Sequence, residues 1–320
     1  MTGGRVIVLG GTGFVGRHVC AALTAAGHDV LAIASNPLAD PPARLLTLDL
    51  LGLDVADLTA LLVAERAGAV VNATGAVWGV TDDEMVRVHV TLVKRMIAAI
   101  AAMPWRARLV QLGSMYEYGP VPAGVPIGES TPPRPATLYS ETKLLGSQAV
   151  QDAAKAGDAD GVVLRISNAI GPGVPRRSLP GQVCEQLLAA AGTGRPAVLR
   201  LAPLRDQRDF VDVGDLAQAI RAAIWASVGG RVINIGSGRV VSVRTLVDLL
   251  IAASGIPAEV IEVEPAHKPR SAGLDWQGVD VSTARRLLGW APRRRLEESL
   301  PAVWNAFVDS AGRPALRVGR

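Results

Sequence analysis

An open, doubly wound α/β fold is the class this sequence predicts, and three observations predict it. A short β-branched run at residues 6–9 leads straight into Gly10, Gly13 and Gly16, and from there into a helical pattern. Strand-like runs then alternate with Ala- and Leu-rich helical segments along most of the chain, the pattern of a parallel sheet flanked by helices. The texture changes to a Pro-rich loop around 119–135, and after Gly171 a Pro/Gly/Arg segment departs from the alternation. A smaller C-terminal region laid over the carboxyl ends of the strands accounts for that departure.

The first element is the run RVIVL at residues 5–9. Gly10 permits the tight turn, Gly13 lets backbone N–H groups approach a pyrophosphate, and Gly16 lets the next helix pack close to the strand. The apolar pattern then lengthens to helical spacing through Val19, Ala22 and Leu23 and stops at Gly27. The helix N-terminus turns unpaired N–H groups and the positive end of its dipole toward an anion. Strand, turn, helix and a further strand at 28–34 fall in register, so the unit reads as Rossmann-like and dinucleotide-binding.

Further strands are expected at 30–34, 44–49, 70–73, 109–112, 162–166 and 232–235. Ser35-Asn36 follows the second, Asp49-Leu50 the third, Ala73 closes the fourth and Gly113-Ser114 the fifth, all at the ends where a ligand lies. Residues 1–167, with a return segment at about 209–235, form the expected dinucleotide-binding domain; 168–208 and 236–320 form the expected substrate-binding domain.

The 320 residues are 49% hydrophobic and 19% charged, enough to bury a sizeable core. A strand begins almost at once, with no basic-then-apolar leader, and no apolar run reaches membrane-spanning length, so a soluble, cytoplasmic protein without a membrane partner is expected. Cys20 and Cys184 stand alone on expected helices and read as small buried apolar residues, with no metal site. The pI of about 9.4 invites a nucleic-acid reading. Residues 281–320, however, hold eight Arg against Glu297, Glu298 and Asp309, a net of +5, and the whole chain is +4, so residues 1–280 carry −1. The basicity belongs to the tail, without interleaved aromatics, and nucleic acid is not an expected partner.

The segment LYSETKLLGSQAV carries the most chemistry. Tyr139 and Lys143 are four residues apart, one turn from each other on one face of a helix. A tyrosine loses its proton near pH ~10, and bringing it to neutrality takes on the order of 4 kcal/mol of preferential interaction with the phenolate. A neighbouring ammonium supplies that kind of interaction. An isolated Tyr-x-x-x-Lys is usually packing, but Ser114 ends an expected strand where its hydroxyl reaches a ligand oxygen gaining or losing charge.

With these residues in place, the chain resembles the extended short-chain dehydrogenases/reductases, the NAD-dependent epimerase/dehydratases acting mainly on sugar nucleotides, over nearly its full length. The Gly-x-x-Gly-x-x-Gly start is GGTGFVG, the acidic residue after the third strand is Asp49, and the Ser/Thr before an aromatic-Gly pair is in SMYEYG. YSETK follows with Tyr139 25 positions after Ser114, and LRISNAIGPG, RDFVDVGDLAQAI, NIGSG and LLGWAP match further family segments. The resemblance implies that Ser114 holds the reacting oxygen, that Tyr139 transfers the proton, and that Lys143 holds the nicotinamide ribose and depresses the tyrosine pKa. It implies cofactor contacts at Gly10, Gly13, Phe14, Val15, Gly16, Ser35, Asn36, Asp49, Leu50, Ala73, Tyr139 and Lys143. Asn168, Arg208 and Arg270 fall where the family holds the substrate diphosphate, with Ser114 a further substrate contact at the reacting oxygen, and guanidinium groups suit phosphate oxygens.

Departures from the pattern narrow the function. NAD-selective members carry Asp at the end of the second strand; here Ala34 stands there, followed by Ser35-Asn36, which points to NADP, with NAD the alternative. Sugar 4,6-dehydratases resemble one another in an Asp-Glu pair after the catalytic Thr, where this chain has Met115-Tyr116. Glu117 is displaced by one position, which on an extended segment points it the other way. Members that epimerise at two carbons and then reduce use a Cys/His pair; the Cys place is again Met115. His89 stands where the family often has Asn at the start of a helix, and is expected to be structural.

The expected activity is reduction of the 4-keto group of a nucleotide-linked 6-deoxyhexose with Tyr139 as proton donor. An NAD-dependent 4-epimerase is the alternative, and a non-catalytic cofactor sensor is disfavoured by the intact Ser114, Tyr139 and Lys143. The resemblance also implies a homodimer formed through the helical segments 88–103 and 139–156.

Overall fold

A computed structural model describes residues 4–75, 79–264, 274–312 and Leu316. The chain alternates from its start: β1 (Arg5–Leu9), α1 (Phe14–Ala25), β2 (Val30–Ala34), β3 (Arg44–Thr47), α2 (Val55–Ala64) and β4 (Ala67–Asn72). Helix α3 (Asp82–Val86) runs through a π-helical stretch, Arg87–Thr91, into α4 (Leu92–Ala101). Then come β5 (Arg108–Ser114), α5 (Leu138–Ala156) and β6 (Asp160–Ile166). An excursion follows through β7 (Asn168–Ile170), α6 (Leu179–Ala190), β8 (Ala197–Leu201) and β9 (Gln207–Asp212). Helix α7 (Val213–Trp225) and β10 (Val232–Ile235) return to the first sheet. The remainder is β11 (Val240–Ser242), α8 (Val243–Ser254), β12 (Ala258–Glu262), β13 (Trp276–Gln277), α9 (Ser282–Leu288) and α10 (Leu296–Ser310).

Seven parallel strands form the main sheet in the order β10-β6-β5-β4-β1-β2-β3, the doubly wound, Rossmann-like arrangement. Strand β1 shows why its residues are apolar on both sides: Val6 and Val8 join the core under α1 and α7, while Ile7 and Leu9 join the core under α2 and α4. The order reverses between β1 and β4, which opens a crevice at their carboxyl ends.

The excursion builds smaller sheets. Strand β9 pairs with β7, β11 and β13, and β8 pairs with β12. Their core is separate from those of the main sheet, with Leu187, Leu199, Leu246, Leu250 and Trp304 fully buried in it.

The expected strands are present with small changes at their ends. The third stops at Thr47 because Asp49 turns to cap a 3-10 turn, Leu50–Gly52, accepting from the Leu51 N–H at 3.0 Å. The segment expected to start a helix near residue 88 instead begins at Asp82, where Thr81 and Glu84 form a capping box. His89 therefore lies inside a continuous helical run and not at its start, a correction to the sequence reading. Among the described residues, no helix is long and apolar enough to cross a membrane.

Candidate functional site

The glycine turn has the geometry of a cradle. Gly10 has φ +73°, and a Cβ there would stand 2.7 Å from the Ala73 carbonyl oxygen, so the loops after β1 and β4 approach as closely as backbone allows. Gly13 is the N-cap of α1 and brings no side chain to the helix end, leaving the N–H groups of Phe14 and Val15 without a side-chain cap. A Cβ on Gly16 would fall 2.1 Å from the Gly10 carbonyl oxygen, which packs the helix onto the turn. Gly11 has a similar constraint that the motif did not single out: its Cβ would meet that of Ala32 at 2.6 Å. This glycine-lined helix end fits the pyrophosphate of a dinucleotide.

The remaining residues expected at the cofactor lie around the same sheet edge. Ala34 ends β2, and Ser35 and Asn36 follow it exposed. Arg44, the arginine nearest to them in sequence, is held by Glu65 at 2.9 Å. Asp49 is exposed beside buried Leu50, and the Ala73 N–H donates to the Leu9 carbonyl at 3.0 Å.

A second group gathers at the end of β5. Ser114 is its last residue, buried, with its hydroxyl oxygen accepting from the Tyr116 N–H at 3.2 Å. Tyr139 lies in the first turn of α5, which Thr137 and Ser140 cap reciprocally, an arrangement worth about 1 kcal/mol. Lys143 follows one turn later, buried, donating to the Leu112 carbonyl on β5. Burial pushes its pKa down, and the nearby Glu117 charge pulls it back up. The Tyr139 ring meets the His89 ring edge-on at 5.6 Å and the Tyr116 ring at 6.0 Å. His89 is itself buried, with Nδ1 3.0 Å from the Thr142 hydroxyl.

Tyr116 links this group to the residues expected at the diphosphate. Its hydroxyl is 3.4 Å from Asn168 Oδ1, and burial raises its pKa while Arg208 lowers it. Asn168 uses its amide hydrogens within the protein, on the Asp209 carbonyl and on Gln277 Oε1, each at 2.9 Å. Arg208 is not a surface residue: it is 3% exposed and pairs with Asp206 at 2.5 Å. Arg270, the third residue expected there, lies outside the described residues.

Glu117 corrects the sequence reading in a different way. It sits on a 3-10 turn, Met115–Tyr118, and not on an extended segment, so its carboxylate turns inward beneath Ser114. There it forms a buried pair with Arg165 at 2.7 Å. Residue spacing alone gave no sign of that pairing. Cys20 and Cys184 are buried, with each thiol pushed up to about 12, far from nucleophilic at neutral pH.

The glycine cradle after β1, Ala73 after β4, Ser114 at the end of β5 and Asn168 just beyond β6 thus share the carboxyl edge of one sheet, with Tyr139 and Lys143 on the helix behind Ser114. The arrangement can hold an extended dinucleotide beside a hydroxyl, a phenol and an ammonium suited to moving one proton.

Comparison with known proteins bears on the fold and the family. A family model described as the NAD dependent epimerase/dehydratase family matches residues 6–236. A dTDP-6-deoxy-L-talose 4-dehydrogenase (NAD(P)(+)) from Kitasatospora kifunensis is 45% identical over 303 residues, covering 94% of this chain and 95% of that protein. A UDP-glucose 4-epimerase from Mycolicibacterium smegmatis is 27% identical over 318 residues, covering 95% and 98%. Among solved structures, MoeE5 in complex with UDP-glucuronic acid and NAD superposes with a TM-score of 0.82 at 26% identity, covering 96% of this chain and all of that one (100%).

Proposed function

This chain belongs to the NAD-dependent epimerase/dehydratase family, and on that premise we propose that it transfers hydride between a nicotinamide dinucleotide and C4 of a nucleotide-linked 6-deoxyhexose. Dehydrogenation of a C4 alcohol and reduction of a 4-ketone are one reaction run in opposite directions, so a reductase reading and a relative named as a 4-dehydrogenase describe the same chemistry. The observation that supports the proposal is that Ser114 ends β5 while Tyr139 and Lys143 stand one turn apart on α5, with Lys143 donating to the Leu112 carbonyl of that same strand, at the sheet edge that also bears the glycine cradle.

A dinucleotide held by Gly10, Gly13, Phe14, Val15 and Gly16 supplies the hydride couple. Ser114 donates its hydroxyl hydrogen to the reacting sugar oxygen, since its lone pairs already face the Tyr116 N–H. In oxidation, Tyr139 as phenolate takes the C4 hydroxyl proton; in reduction, the phenol returns a proton to the ketone oxygen. Lys143, desolvated on the same helix face, favours the phenolate and would hold the nicotinamide ribose when the cofactor is bound. Arg208 anchors the diphosphate, with Asp206 holding the guanidinium ready. Asn168, its amide hydrogens taken by the Asp209 carbonyl and Gln277, accepts from the Tyr116 hydroxyl and braces that ring instead.

NADP is accepted at least as readily as NAD, because Ala34 leaves no carboxylate to repel a 2′-phosphate. The protein acts as a homodimer through α4 and α5. Leu145 on α5 and Val86 on α3, 50% and 38% exposed in the single chain, supply apolar surface for that contact.

The test is to supply a dTDP-linked 6-deoxyhexose with NAD(P)+ and follow reduced nicotinamide by absorbance. Steady formation by the unmodified protein and none by Tyr139→Phe is the expected result; equal rates in the two overturn the mechanism.

A further inference from the structure

Glu117 is a carboxylate with no exposed surface, and burying such a charge is costly unless its oxygens are well used. Oε2 accepts from Arg165 Nε at 2.7 Å. Oε1 turns the other way, accepting from the Ser114 N–H at 2.8 Å and from the Ser147 hydroxyl at 2.9 Å. Ser147 lies one turn beyond Lys143 and two beyond Tyr139, on the same face of α5. One oxygen atom therefore ties the residue that ends β5 to the helix that carries the phenol and the ammonium.

The surroundings are shaped for that contact. A Cβ on Gly113 would stand 2.6 Å from Glu117 Oε1 and 3.0 Å from Ser147 Oγ, so only glycine leaves room for the bridge. On the far side, Arg165 covers the Tyr118 ring at 4.4 Å, and the Tyr118 hydroxyl donates to Asn234 Oδ1 on β10 at 2.8 Å. The Arg165 pair alone explains why the charge is tolerated. It does not explain why the second oxygen is spent on Ser114 and Ser147.

We infer that Glu117 is a positioning residue, whose Oε1 fixes the Ser114 hydroxyl relative to the Tyr139 phenol by holding the Ser114 backbone and helix α5 together. The inference rests on Ser114 and Tyr139 acting at the sugar C4 as proposed above. Turnover by the unmodified protein tests that reading, and the ratio of each variant to the unmodified protein tests Glu117.

Two double variants separate the acceptor from the charge. Glu117→Gln with Arg165→Gln keeps an oxygen for Ser114 and Ser147; Glu117→Leu with Arg165→Met keeps the volume and removes the acceptor, and since both remove the same two charges, any loss of the Glu117 support for the Lys143 ammonium is common to them. Turnover is counted per cofactor-binding site, from titration of reduced-nicotinamide fluorescence, alongside KM for the sugar nucleotide. The Leu/Met protein is expected to lose about 10- to 100-fold in kcat with KM changed by less than about three-fold, while the Gln/Gln protein regains at least about a third of normal turnover. A Leu/Met kcat within about two-fold of normal, or an equal loss in both, overturns the inference. Should the Leu/Met chain fail to bind cofactor, Ser147→Ala decides the matter, because it cuts only the link to α5. Its kcat is then expected to fall about three- to ten-fold, and an unchanged kcat overturns the inference.

Discussion

A phenol serves as a base near neutrality only if its surroundings prefer the phenolate, and in the proposed mechanism Lys143, one turn along the same helix, creates that preference. Replacing Tyr139 by Phe is expected to lower kcat/KM by about 10²- to 10⁴-fold while cofactor binding stays largely intact, as measured by fluorescence titration. For Lys143→Met the sign follows from charge. Without the ammonium the phenolate is less stable, so the Tyr139 pKa rises and the rising limb of the kcat–pH profile for sugar oxidation moves to higher pH. An unshifted limb assigns Lys143 to packing alone. At the end of β2, Ala34→Asp introduces the missing carboxylate; the ratio of kcat/KM for NADP over NAD is expected to fall about 10-fold or more. These residues were legible in the sequence because each lies in a short motif. Glu117 was legible only as a name beside Ser114, since its partners Ser147 and Arg165 stand 30 and 48 positions away.

At the scale of elements, the turn from β1 into α1 was readable because its glycines are separated by fixed steps and each meets backbone. Gly16→Ala puts a methyl 2.1 Å from the Gly10 carbonyl oxygen, which cannot yield without moving α1. The expected outcome is a rise of about 10-fold or more in the cofactor dissociation constant by calorimetric titration, with the far-ultraviolet dichroism retained. Gly11 and Gly113 have equally strict surroundings, yet their neighbours are Ala32 and the Glu117–Ser147 pair, brought near only by folding. The π-helical stretch around His89 was hidden for a similar reason. One wider turn inside a helix leaves the apolar spacing on either side intact, so the run reads as ordinary α-helix until the backbone is seen.

Across the whole molecule, the parallel sheet and the place of its crevice followed from the alternation of strands and helices, whereas the small sheets did not. Strand β13 is two residues long, and the β8–β12 pair joins segments about sixty residues apart, so no local pattern announces either. Assembly belongs to this scale too. Leu145→Glu places a charge in the apolar surface of α5 and is expected to turn a dimer into a monomer in sedimentation velocity. A monomeric unmodified protein contradicts the proposed interface.

The central claim, reversible hydride transfer at C4 to an exchangeable nicotinamide, is tested most directly by isotope. A dTDP-linked 6-deoxyhexose deuterated at C4 is incubated with NAD(P)+, and the nucleotide and sugar fractions are weighed by mass spectrometry. One deuterium on reduced nicotinamide free in solution, with a 4-keto sugar beside it, is the predicted result. Deuterium retained on a sugar inverted at C4, or no movement of the label at all, would contradict the account.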